Sequence, residues 1–213
     1  MADIGLRYAA FARVQSHTEG SAITYGAGRE VGMMISANVA ITRNSNRLYA
    51  NDVVAEEDNS ISEAQITVNT DDLTLDNEQF MCGTVKTGEG TAAHYEDTDE
   101  PAPLGGFGYV RVRSKTDQET GVTSRSYIAT WWYKVRARIE AEAAKTKGQN
   151  LEWSTPTMIL RAMGAYIDSS DKLKFRDRKS FDTYAAAKAF IDDYANISSG
   201  TDDTDDTDDT DNG

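Results

Sequence analysis

The chain has 213 residues, of which 39% are hydrophobic, and a formal net charge of −13. That length suits one domain with appendages, or at most two small ones, and the sign of the charge argues against a surface built to grip nucleic-acid phosphates. The last 13 residues, TDDTDDTDDTDNG, carry seven aspartates and no base, so the rest of the chain stands at −6.

In chain order, LRYAAFARV (6–14) predicts a first strand. REVGMMISANVAITR (29–43) predicts one strand or a bent pair, broken near Ser36–Asn38. RLYANDVVAEED (47–58) is a polar connector. It carries one apolar pair, Leu48 and Tyr49, and four carboxylates, Asp52, Glu56, Glu57 and Asp58. SEAQITV (62–68) alternates, with Ala64, Ile66 and Val68 on one side of a strand. LTLDNEQFMCG predicts a short helix, capped by Thr74 and ended by Gly83.

KTGEGTAAHYEDTDEPAPLGG (86–106) is polar, holds two of the three prolines, and reads as a long loop. YVRVRSKTDQETGVTSRSYIA (109–129) predicts a hairpin with its turn near Asp117–Gly121. It leads into the clearest period-two signal, YIATWWYKVRARIEAEA (127–143). Tyr127, Ala129, Trp131, Tyr133, Val135, Ala137, Ile139 and Ala141 share one face. Lys134, Arg136, Arg138, Glu140 and Glu142 share the other. Fifteen extended residues span about 50 Å, longer than a compact domain needs, which predicts a strand reaching toward a neighbour.

Adjacent strand residues point to opposite faces, so Trp131 and Trp132 cannot share one core. One of the two is expected against another layer or another chain. After a polar link at 144–150, TPTMILRAMGAYI (155–167) predicts a strand. KSFDTYAAAKAFIDDYANI predicts a helix capped by Ser180, with Tyr184, Ala187, Ile191 and Tyr194 as its packing stripe. The Thr-Asp-Asp repeat at 201–213 cannot bury apolar surface and is expected to be disordered.

Catalytic constellations are missing from the sequence. His17 and His94 stand in polar, loop-like context, and no nucleophile elbow, zinc-protease or phosphate-loop motif occurs. The spacing of TYGAGREVG does not fit a dinucleotide loop, and the 52–58 carboxylates do not follow the calcium-loop pattern. Cys82 is the only cysteine, so neither an intrachain disulfide nor a thiolate zinc site can form. It reads as a small apolar group in a chain made in a reducing cytoplasm. No apolar run approaches the length of a bilayer span, and the N-terminus lacks the pattern of a secretory signal. The expectation is a soluble protein that is not an enzyme, without cofactor or metal.

Taken in order, the segments resemble the major tail protein of long-tailed bacteriophages, the subunit of the tail tube. GLRYAAFARV and YGAGREVG open the match, followed by RLYANDVVAEED and SISEAQITVNTDDLTLDNEQFMCG. In the family, an L-Y-(A/G)-D-D style turn runs into a v-A-E strand; here Asn51 replaces the first aspartate of that turn. PAPLGGFGYVRVRS, YIATWWYKVRARIEAEAAKTKGQNLEWSTP and the closing Ala-Ala-Lys-Ala-Phe helix complete it. The order and spacing carry the resemblance, not any single motif.

The resemblance implies a mainly β fold, a sandwich or barrel-like sheet over 1–200 with one or two short flanking helices. An inter-subunit arm would lie at about 43–62, a long loop at about 84–106, and the acidic tail at 201–213. It implies self-assembly into stacked rings, hexameric in the family, that form the conduit for genome delivery. The chain would be made in the host bacterial cytoplasm and reside in the virion tail. Its partners would be copies of itself, the tape-measure, tail-terminator and distal tail proteins, and DNA as passing cargo, with no membrane insertion. Leu48, Tyr49, Asp52, Trp132, Lys134, Arg136 and Arg138 are the candidate subunit-interface residues, and the family lends no catalytic residue. A competing expectation is a β-rich carbohydrate-binding or adhesin-like module, with Trp131, Trp132 and Trp153 as its platform and the acidic loops holding calcium.

Overall fold

The computed structural model describes residues 2–50, 53–116, 121–141 and 155–198, with the backbone alone at 2, 48–50 and 53–55. The first strands are β1 (Ala2–Ser16), β2 (Thr24–Tyr25), β3 (Arg29–Glu30), β4 (Met34–Arg43), β5 (Asn46–Ala50), β6 (Val53–Asp58) and β7 (Ile61–Thr70). Helix α1 (Leu75–Cys82) follows, then β8 (Val85–Thr87), β9 (His94–Glu96), β10 (Leu104–Thr116) and β11 (Thr123–Ala141). The chain continues through β12 (Thr157–Ala162) and β13 (Arg176–Phe181) to helix α2 (Tyr184–Ala195). This is the mainly β fold with two short helices that the sequence predicts.

One antiparallel sheet carries the architecture, in the order β2–β1–β10–β11–β12–β7–β4, with β3 beside β1 and β13 beside β11. The segment 29–43 touches both sides of this path. Arg29 and Glu30 pair with Phe11 and Ala10, the Val31 amide donates to the Ala9 carbonyl at 3.0 Å, and β4 then pairs with β7. That bridging brings β4 close to β1, from the other side of the sheet path.

Two apolar layers follow from the pleat. Phe11, Val31, Ile66, Val68, Phe107, Trp132, Val135 and Leu160 form one cluster, joined by Met81 of α1, so every major strand contributes to an enclosed interior. Arg13 holds α1 in place by donating to the Phe80 and Gln79 carbonyls at 2.8 Å, where the helix C-terminus favours a cation. On the opposite face, Ala187, Ile191 and Ala195 of α2 pack on Ala10, Ala12, Val110, Ala129 and Trp131. Each large side chain fully buried in this way contributes about 1.5–3 kcal/mol.

The small residues of β10 make the second layer possible. A Cβ at Gly106 would lie 2.3 Å from the Trp131 ring, and one at Gly108 would lie 2.4 Å from it, so the indole lies flat on bare backbone. Its Nε1 donates to the Tyr25 hydroxyl at 3.2 Å, and Tyr194 stacks on it at 5.5 Å between centroids.

Strand β11 departs from simple alternation at one point. Phe107 pairs with Trp132, but Gly105 pairs with Val135, so an extra residue sits at 133–134. The bulge moves the odd-numbered face from one layer to the other. Ala129, Trp131 and Tyr133 join the α2 layer, whereas Val135 and Ala137 join the interior with Trp132. The far edge of β11 is divided at the same place, with β13 along 127–132 and β12 along 135–141.

Several expectations need correction. The break in 29–43 lies at 31–33, not at Ser36–Asn38, because Gly32 takes φ 111° there and β4 runs unbroken through 36–38. Thr183, not Ser180, caps α2: its hydroxyl accepts the Ala186 amide at 3.3 Å, while Ser180 belongs to β13. The expected loop at 86–106 contains the β8–β9 hairpin and the start of β10. The 155–167 strand is confined to β12. Strand β13 was not expected, since RDRKSF lacks an apolar alternation. The turn near 117–121 falls almost wholly outside the described residues, as do the 144–150 link, Glu142, Trp153 and the 201–213 repeat.

Candidate assembly surface

Strands β5 and β6 form a two-stranded sheet separate from the main one, with Asn46 opposite Asp58, Arg47 opposite Glu57 and Leu48 opposite Glu56. The base of this hairpin is pinned. The Asn44 amide donates to the Ser60 carbonyl at 2.9 Å, Asn44 Nδ2 donates to Ser60 Oγ at 2.9 Å, and Arg43 donates to the Asn59 carbonyl at 3.0 Å. The connector at 43–60 is therefore a held stalk carrying a hairpin. A two-stranded hairpin is marginal alone in water.

Its carboxylates have separate surroundings. Glu57 faces Arg47 at 3.3 Å, with both side chains about half exposed. Asp58 accepts the Ser60 amide at 2.9 Å, and that bond holds its carboxyl below the usual range. Glu56 is exposed. Leu48 and Tyr49 lie in β5, but their side chains fall outside the described residues, as does Asp52 altogether.

The second unfinished surface is β4, the last strand of the sheet path. Proteins commonly blunt such an edge with charge. β13 follows that rule, with Arg176, Asp177, Arg178 and Lys179 along it. β4 exposes Ile35 at 53% and Ile41 at 36%, with Met33 just before it at 75%.

The third is the outer face of β11–β12–β7–β4. Arg136 stands opposite Arg161, and both are exposed. Arg138 meets Glu140 at 2.9 Å, an ion pair within one strand. Lys134 sits at the bulge, where its carbonyl accepts the Met163 amide at 2.8 Å. Below them Thr157, Asn69 and Ser36 link three strands by side-chain bonds of 2.8 and 2.9 Å. The face is basic and polar.

Trp132 does not behave as an interface residue within this structure. It is 1% exposed, and Trp131 is fully buried. The two indoles do occupy opposite layers, as adjacent strand residues must, but the chain itself supplies both layers. Of the groups weighed for chemistry, His17 lies 3.2 Å from the Tyr166 carbonyl and His94 is exposed on β9. Burial, followed by Glu78, pushes the Cys82 thiol up to about 12, so it stays protonated. Among the described residues no helix is long and apolar enough to cross a membrane.

Sequence reasoning missed the exposed isoleucines of β4, because strand alternation does not show which edge lacks a partner. It also missed β13 and its arginines, because RDRKSF shows no apolar alternation. Comparison with known proteins adds nothing to these observations: no family model matches the chain, and no curated protein matches it.

Proposed function

We propose that this chain is a self-assembling structural subunit that closes into rings and stacks into a hollow tube, the tail tube of a long-tailed bacteriophage. The observation that carries the reading is that one chain leaves two surfaces unfinished, the stalked β5–β6 hairpin and the β4 edge with its exposed Ile35 and Ile41, each open to a neighbouring copy. A head-to-tail contact between different surfaces of identical copies generates rings. The resemblance in segment order, from GLRYAAFARV to the closing helix, points the same way.

The tube would carry DNA as cargo. A chain at −13 repels phosphates, and no counterion release rewards binding. Because the outer face of β11–β12–β7–β4 is basic, with Arg136, Arg138 and Arg161, we assign it to contacts with acidic surfaces of neighbouring copies and not to the bore. The tape-measure, tail-terminator and distal tail proteins would be the other partners, and the virion tail the final location. The buried state of Trp131 and Trp132 weighs against a glycan-binding platform built on them.

The test is a pair of variants, Leu48→Ala with Tyr49→Ala on the hairpin and Ile35→Lys on the β4 edge. Each should remain folded by circular dichroism and fail to form tubes. Normal tubes from both would contradict the proposal.

A further inference from the structure

One sheet face gathers arginines and orphaned donors. On β10 it carries Tyr109, Arg111 and Arg113, on β11 Ile128, Thr130 and Trp132, and on β13 Arg176, Arg178 and Ser180. The register sets Arg176 beside Trp132, Arg178 beside Thr130 and Arg111 beside Ile128. The Arg176 guanidinium lies 4.9 Å over the Trp132 ring. Arg178 and Arg111 are both close enough to disfavour its charge, after burial. Asp3 is the one carboxylate bonded here among the described residues. It is spent on Arg111 at 2.8 Å and Arg113 at 3.0 Å. Arg176 and Arg178 have no carboxylate partner among the described residues.

The face also holds three of the four buried side-chain polar atoms that lack a hydrogen bond among the described residues: Arg111 Nε, Thr130 Oγ1 and Trp132 Nε1. All three can donate. Buried donors without acceptors are rare in folded proteins, so this face has donors in excess and a local charge opposite to that of the chain. A guanidinium held over an indole has its position fixed before a carboxylate or other oxyanion arrives.

We propose that Arg176 and Arg178, backed by Arg111, form an oxyanion-binding site whose ligand is a pair of carboxylates, Glu56 and Asp58, on the β5–β6 hairpin of a second copy. The inference rests on the self-assembly reading and names the surface that receives the hairpin. Residues two apart on a strand share a face at a spacing of about 6.5–7 Å, so Glu56 and Asp58 match the pitch of Arg178 and Arg176. Strand β13 bonds β11 along one edge only, among the described residues. An incoming β6 running antiparallel along its other edge sets Glu56 against Arg178 and Asp58 against Arg176. A nucleic acid is the weaker candidate, because the chain as a whole repels a polyanion.

The test is charge reversal with rescue, read as the lowest protein concentration at which assemblies sediment. Arg178 is exposed, so Arg178→Glu should keep the native circular dichroism spectrum while raising that threshold about tenfold or more. Combining it with Glu56→Arg should bring the threshold back toward the wild-type value. Loss without rescue overturns the assignment to Glu56. Wild-type assembly with an unchanged Arg178→Glu threshold overturns this inference alone, whereas a wild-type chain that never assembles overturns the self-assembly reading with it. Inorganic phosphate that perturbs Trp132 fluorescence while Arg178→Glu assembles normally would mark a free-anion site, and also overturns the proposal.

Discussion

Tyr8 and Asp192, 184 residues apart in sequence, are joined under helix α2 by a hydrogen bond from the tyrosine hydroxyl to Oδ1 of the carboxylate. Lys188 reaches Oδ2 at 2.7 Å and lies 4.4 Å over the Tyr8 ring. Tyr8 takes φ 53° where β1 shifts register between Arg7 and Ala9, so the backbone itself turns the ring toward the helix. Burial, then Asp192, pushes the hydroxyl well above its usual range, which keeps it a donor. Tyr8→Phe leaves a nearly buried carboxylate short of one donor. It is expected to cost about 1–3 kcal/mol, read from the urea midpoint; an unchanged midpoint would show that the clamp is not used.

Gly108→Ala tests the α2 layer. A Cβ there would lie 2.4 Å from Trp131 and 2.8 Å from Ile191. Overpacking of this kind costs about 1–3 kcal/mol. The melting temperature should fall and the near-ultraviolet tryptophan signal should change. A variant as stable as the wild type would mean that Trp131 does not lie on the strand.

The loop after β12 is tied by Asp168, which accepts from Lys174 Nζ and from the Ser170 hydroxyl and amide. Those bonds, Lys174 first, hold its carboxyl down to about 2. A depressed carboxyl stabilises the folded loop above the ordinary carboxylate range, and the effect is lost as pH falls from about 4 toward 2. In an NMR titration Lys174→Ala should return the Asp168 midpoint toward the ordinary range, and the Ala165 amide, bonded to the Lys174 carbonyl at 2.9 Å, should report the loosening at acid pH. A midpoint that stays put in the variant contradicts the pairing.

Cys82 offers a reactivity test. With its thiol pushed up to about 12, the native protein should react slowly with a thiol reagent near pH 8, and the unfolded chain should react at one site per molecule. Fast labelling of the native form would place the thiol at the surface.

Much of the architecture was legible because apolar period-two runs survive in single strands. Ala64, Ile66 and Val68 face the interior as their spacing predicts, and Thr74 and Gly83 cap α1. The rest depended on long-range geometry. The bulge at 133–134 leaves no mark in YIATWWYKVRARIEAEA, yet it sends Val135 and Trp131 to different layers. Thr183 overrides Ser180 as a cap because β13 pairs with β11 through residue 181. Of the proposed surface, an arm was visible as an apolar pair in a polar connector, but not that it folds as the β5–β6 hairpin. The β4 edge and the arginines of β13 became visible only once the strand order was known.

The most direct test is electron microscopy of the purified wild-type protein in negative stain at rising concentration. The proposal predicts rings or tubes of uniform width with a regular axial repeat. A solution of well-ordered 23.4 kDa monomers at every concentration would contradict it.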